Sequence, residues 1–269
     1  MRIHIRHEIA QVFEPPAPFM NAVLRLTPRS HESQHVARWR VEIDGDSRIR
    51  AFDDGFGNCM HTLSMAGRTE SLRILAEGVV DTFDAAGIVR ATVERFPPEL
   101  FLRETSLTQP CERLRAIAAG AEGANRIERL HALLLRIGVD DDAGGPAQAQ
   151  MQTQAQKPAE GDAAGNRASG KAKTLAHDFI VCARLIGAPA RFVSGYYLDL
   201  KADSGGAHFW AEAHVDGVGW IGFDPANAIC PHESHVRMAI GLDALDAACV
   251  RAAPAPLSVT EIVDVRRES

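Results

Sequence analysis

The feature that most constrains this chain is one helical segment followed by three strand-like segments in close succession. From residue 171, Leu175, Phe179, Cys182 and Ile186 recur at helical spacing, and Gly187 and Pro189 end the run. "RFVSGYYLDL", "HFWAEAHV" and "WIGFDP" then read as strands, the last two joined across "DGVG" as a hairpin. One amphipathic helix followed by an antiparallel hairpin points to an α+β arrangement, with the helix packed on the sheet.

The hairpin also carries the chemistry. His208 opens one strand and Asp224 closes the next. A histidine serves as general base when a carboxylate fixes its tautomer and stabilises its imidazolium. The two side chains share a face only if the loop has an odd length. Three residues, Asp216 to Val218, satisfy that condition, whereas a two-residue Asp216–Gly217 turn puts them on opposite faces. Ordinary hairpin polarity, with Asp224 capping a turn before Pro225, accounts for the same spacing.

Upstream, residues 1 to 95 read as short strands between turn signals, a β-sandwich or small sheet domain. "MRIHIRHEIAQVF" alternates with Ile3, Ile5 and Ile9 in phase and lacks the apolar core of a secretion signal. The proline-bounded stretch 96 to 110 reads as an extended connector. Leu114 and Ile117, then Ile127, Leu130, Leu134 and Ile137, give helical spacing interrupted by Gly120 and Gly123. Residues 141 to 170 hold five glutamines between 148 and 156 and no aromatic residue, the composition of a disordered loop or of a segment that folds on a partner.

A net charge of −6 argues against nucleic-acid or anionic-membrane partners, and no stretch is apolar enough to span a bilayer. Five scattered cysteines without a CxxC read as reduced thiols, so a cytoplasmic location is expected.

Taken together, "AHDFIVCARLIGAPARFVSGYY", "HFWAEAHVDGVGWIGFDPAN" and "AICPHESHVRMAIGLD" resemble the transglutaminase-like superfamily, whose fold is papain-like. The first 95 residues resemble the β-rich N-terminal domain of bacterial members, and "ELFLRETSLT" their connector. The resemblance implies a papain-like core over 111–269 in which His208 is the base and Asp224 its orienting carboxylate. It also implies a nucleophilic cysteine at a helix start of the form Gly-x-Cys-x-Asp-x-Ala-His. Here that stretch is Gly170-Lys171-Ala172-Lys173-Thr174-Leu175-Ala176-His177, so Ala172 stands at the nucleophile position and Thr174 at that of the Asp.

A methyl group cannot attack a carbonyl. The resemblance therefore implies a non-catalytic homologue that binds a peptide or protein, without cofactor or metal. One rival is an amide hydrolase or acyltransferase that uses the His–Asp pair with a relocated nucleophile. For that role Cys182 lies on the apolar stripe, Ser169 suits a helix cap, and Thr174 needs His208 within reach. The other rival is a structural module whose own loop fills the cleft. Cys230-Pro-His232-Glu-Ser-His235, even with His208 and His214, is a weak zinc pattern. Trp210 alternates in phase with His208 and can border a cleft. His177 either lines the groove or is an ordinary hydrogen-bonded helix histidine.

Overall fold

A computed structural model describes residues 1–45, 48–142 and 163–268. The N-terminal alternation runs much farther than a short strand. β1 spans Arg2–Thr27, β2 Gln34–Ile43, β3 Arg48–Asp53 and β4 Cys59–Thr82. Ile3, Ile5, Ile9 and Phe13 point inward from β1 and are all but sequestered. The expectation of short strands fails because Pro15, Pro16 and Pro18 do not end β1. The β1–β4 register shifts between Val12 and Ala17 and again between Ala17 and Phe19. Such bulges accommodate residues that have no N–H to give the ladder.

After β5 (Ile88–Val89), the connector is more than an extended strap. It contains a 3₁₀ turn, Pro98–Leu102, whose Phe101 is buried edge-on against Trp220 at 5.2 Å. Helices α1 (Glu112–Ala119), α2 (Arg126–Asp142) and α3 (Ala163–Leu185) follow. Leu114, Ile117, Leu130, Leu134 and Ile137 bury the stripe the spacing predicts. The low-complexity reading of 141–170 needs correction at its end, since 163–170 belong to α3. Residues 143–162 lie outside those described.

The remaining strands are β6 (Ala190–Asp199), β7 (Ser204–Val215), β8 (Gly219–Phe223), β9 (His235–Gly241), β10 (Val250–Ala253) and β11 (Ser258–Arg267). Phe179 of α3 stacks on Phe223 at 4.9 Å. It shares a core with Phe192, Ala211 and Ala213, whose two alanines keep that face of β7 low beneath the helix. The eleven strands join one sheet, with the order β2-β4-β1-β11-β7-β6-β9 along its main path. Strand content therefore outweighs helix, and the α+β description holds in that β-dominated sense. The boundary at 111 does not divide the fold, because β10 and β11 return to pair with β1. Among the described residues no helix is long and apolar enough to cross a membrane.

Two side-chain amides cover the outer edge of β9. Gln34 exchanges hydrogen bonds with the backbone of Arg237 (2.8 and 2.9 Å), and Asn58 does the same with Ile240 (both 2.8 Å). Each carboxamide satisfies an N–H and a C=O that would otherwise be left open. Beneath lies Glu212 of β7, fully buried. It accepts from Arg191 Nε at 2.7 Å and Arg237 Nε at 2.7 Å, and Arg191 reaches on to Glu94 at 2.8 and 3.0 Å. The Arg191 guanidinium also lies 3.8 Å from the centre of the Trp220 ring.

Burial alone would raise the Glu212 pKa. Arg237 and Arg191 outweigh it and hold the carboxyl at about 2. A depressed carboxyl pKa stabilises the fold fully above the ordinary value of 4.5, and that contribution disappears as the pH falls through about 2. Glu212→Gln leaves two arginines without their buried counter-charge and should cost about 3–5 kcal/mol in urea unfolding at pH 7. The variant should also lack the part of acid destabilisation that the wild type shows between pH 4.5 and about 2. A variant as stable as wild type would refute this assignment.

Candidate functional site

The β7–β8 hairpin meets the odd-loop condition. Val215 pairs with Gly219, leaving Asp216, Gly217 and Val218 as the loop. With Ala211 opposite Phe223, the register sets Asp224 across from Trp210. Asp224, Trp210 and His208 therefore share a face, and Phe209 and Ala211 turn the other way toward α3. His208 Nε2–H donates to Asp224 Oδ2 at 2.7 Å.

Asp224 serves more than one histidine. His235, at the start of β9, donates Nε2–H to the same oxygen at 3.1 Å, and Asn227 Nδ2 donates to it at 2.7 Å. The other oxygen accepts the backbone N–H of Ala226 at 3.1 Å. Burial works against ionisation of Asp224. The hydrogen bonds from His208 and His235 outweigh it and hold the carboxyl well below the usual carboxylate range. Burial lowers the pKa of His235, which Asp224 partly offsets. Both imidazoles thus direct Nε2–H at one fixed carboxylate oxygen.

Aromatic rings frame the cluster. Trp210 stacks on His208 at 6.2 Å and meets His235 edge-on at 5.4 Å, and Tyr197 lies 5.3 and 4.8 Å from the same two rings. Gly195 makes room for this, since a Cβ there would lie 2.6 Å from the Trp210 ring and 2.2 Å from the Val236 carbonyl. Among the described residues no hydrogen bond engages Nδ1 of His208. That nitrogen is the lone pair available for a proton.

Sequence reasoning brought His235 near His208 only within a weak zinc pattern, and it missed Tyr197 and Asn227 as members of this cluster. His235 was visible as a histidine opening the strand-like "HVRMAIG". Its contact with Asp224 depends on β9 lying beside β6, which local pattern does not encode.

His208, Asp224 and His235 bring their ligand atoms within 4.8 Å of one another, the grouping of a two-histidine, one-carboxylate metal site. The protons argue against that use. His235 Nδ1 accepts the backbone N–H of His232 at 3.3 Å, so its own proton sits on Nε2 and faces Asp224. A metal-ligating histidine has the opposite polarity, its far nitrogen donating to an acceptor.

The helix side differs from expectation. Because α3 begins at Ala163, Ala172 lies about two and a half turns inside it and is fully buried. A helix leaves only its first four N–H groups open, so the N–H of Ala172 is spent within the helix. Ser169 likewise falls inside the helix and does not cap it. Thr174 Oγ1–H donates to the Gly170 carbonyl at 3.2 Å, and Cys182 is buried with its thiol on the Leu114 carbonyl at 3.5 Å.

His177 is the ordinary helix histidine. It lies against Phe192 with ring centroids 4.8 Å apart, and its Nε2 accepts the Ala244 N–H at 3.1 Å. Burial holds its pKa down at about 4. Trp210, by contrast, borders a small cavity of about 40 Å³ together with His235, Glu212 and His31.

A sheet-backed helix with a His–Asp pair at the end of its hairpin is the frame of a papain-like core. Residues 144–225 match the transglutaminase-like superfamily, and residues 3–81 match the bacterial transglutaminase-like N-terminal region. The chain thus carries a transglutaminase-like core behind that N-terminal region. "Uncharacterized protein ML0607" of Mycobacterium leprae is 25% identical over 264 residues, covering 92% of this chain and 91% of its own. The crystal structure named "Putative Cysteine Protease from Cytophaga hutchinsonii" shares the fold with a TM-score of 0.70. It is 20% identical and covers 100% of this chain and 91% of its own.

Replacing Asp224 by Asn should unseat both histidines, because a single amide oxygen cannot take the donors the carboxylate now accepts. A loss of about 1–3 kcal/mol is expected. In the wild type, nitrogen NMR should find His208 and His235 protonated at Nε2, with the His235 signal changing tautomer or broadening in Asp224→Asn. An unperturbed His235 in the variant would contradict the shared carboxylate.

Proposed function

We propose that this protein is a transglutaminase-like homologue without acyl-transfer activity, which holds a peptide or protein at the retained His208–Asp224 pair. The supporting observation is the continuity of α3 through Ala172. Cysteine acyl transfer needs a thiolate and, beside it, open N–H donors for the developing oxyanion. At this position the side chain is a methyl and the backbone N–H is already bonded. Loss of the nucleophile of a catalytic triad alone costs on the order of 10⁶-fold in a hydrolase.

The binding half of the proposal rests on what remains open. His208 keeps Nδ1 free of the hydrogen bonds described, next to the part-exposed Tyr197 and Asn227. These groups suit a polar backbone or side-chain amide better than an apolar ligand. A reducing, cytoplasmic setting fits the cysteines, all five of which are unbridged.

The test is amine incorporation into, and hydrolysis of, glutamine-containing peptides. The wild type should stay at blank, and activity above blank that His208→Ala abolishes would overturn the proposal. Ala172→Cys alone should also stay at blank, because it supplies sulfur without freeing the helix N–H. Peptides selected on the wild-type protein should bind His208→Ala roughly tenfold more weakly. Failure to enrich any peptide would remove the binding half.

A further inference from the structure

A second nucleophile–base pair lies away from His208. Cys230 sits in the loop that follows Asp224, with its Sγ 3.6 Å from Nε2 of His131 on α2. His131 Nδ1–H donates to the Ile127 carbonyl at 2.9 Å. That bond fixes the tautomer and leaves the Nε2 lone pair facing the thiol. The arrangement is a nucleophile, a base and a group that orients the base. The His131 ring is exposed and lies edge-on to Phe223 at 5.3 Å, which steadies it further.

The other four cysteines are placed differently among the described residues. Cys182 is buried on a carbonyl, and burial pushes the Cys249 thiol up to about 12. Cys59 is also raised by burial, and Cys111 is exposed at the start of α1 without a cap bond from its side chain. Cys230 is half-buried. Access to it is one-sided, because a Cβ on Gly87 would lie 2.9 Å from the Cys230 Cβ and so that backbone closes one flank.

We propose that Cys230 and His131 form a base-assisted thiol centre that exchanges with low-molecular-weight disulfides. His131 Nε2 takes the thiol proton, and the Cys230 sulfur attacks one sulfur of the disulfide. The S–S bond breaks, a mixed disulfide forms on Cys230, and the departing thiolate recovers the proton from His131. One disulfide and one thiol become one mixed disulfide and one thiol, with no other oxidant. Burial raises the Cys230 pKa, so free thiolate is scarce at neutral pH and the exchange depends on the imidazole. The modified residue would lie next to Ile229, which pairs with Asp224 through two backbone hydrogen bonds of 2.8 and 3.2 Å.

The experiment treats the full chain with an aromatic disulfide reagent and follows each cysteine by peptide mass spectrometry, with Cys111 as internal reference. In the wild type at pH 7, Cys230 should react at least as fast as the exposed Cys111, although burial raises its own thiol. His131→Gln should slow Cys230 on the order of tenfold or more and leave Cys111 unchanged. Its residual rate should keep rising with pH until the thiol itself ionises. An unlabelled Cys230, or a rate indifferent to His131→Gln, would overturn the proposal. If Cys182 becomes labelled in the variant, the fold has opened, and the wild type decides: a Cys230 slower than the exposed Cys111 at pH 7 refutes base assistance.

Discussion

The structure is organised around a carboxylate that has no contact with solvent. Glu212 lies in the middle of β7 with Arg191 of β6 on one oxygen and Arg237 of β9 on both, and Arg191 ties the group outward to Glu94. Three neighbouring strands and the chain before the 3₁₀ turn therefore depend on one charge. A buried ion is costly unless its partners are in place. The alternation that sends Glu212 to this face sends Trp210 and His208 there too. A one-residue slip of β7 would carry the carboxylate into the apolar space under α3 and His208 away from Asp224. Structural charge and candidate site thus hold each other in register.

Asp224 repeats the device at the end of the hairpin with a wider set of hydrogen-bond donors. Its oxygens collect two imidazoles, an amide side chain and a backbone N–H, and together these hold the carboxylate in place. A set of donors this complete orients His208 whether or not any chemistry follows. It also gives the pair a structural role of its own, because removing Asp224 would strand His235 in the interior.

The β6–β8 strands, the inward phase of β7 and the apolar stripes of the helices were legible because each is a local period repeated over several residues. The three-residue loop was legible as a condition, and Gly217 and Gly219, both at positive φ, meet it. What escaped the sequence was non-local. Three prolines made β1 look short, since a bulge is a property of the pair of strands and not of one. The return of β11 to β1 joins residues far apart in the chain, and the approach of His235 to Asp224 depends on β9 pairing with β6. The start of α3 was also misplaced. Gly165 and Asn166 disfavour a helix despite Ala163 and Ala164, and Gly170 looked like a boundary although it is tolerated inside a helix.

That misplaced boundary changes what Ala172 means for the proposed reading. As a residue, Ala172 brings a methyl where the resemblance calls for a sulfur. As a position inside α3, it also lacks the open N–H groups that a helix start offers to a developing negative charge. The first deficit lies in a side chain and the second in the backbone, and only the second depends on the residues ahead of Ala172. A working site would require the chain to leave the helix before that point, which costs the hydrogen bonds of the extra turns. On the proposed reading the length of α3 and the methyl at Ala172 therefore point the same way, because a sulfur placed there would still find no open N–H beside it.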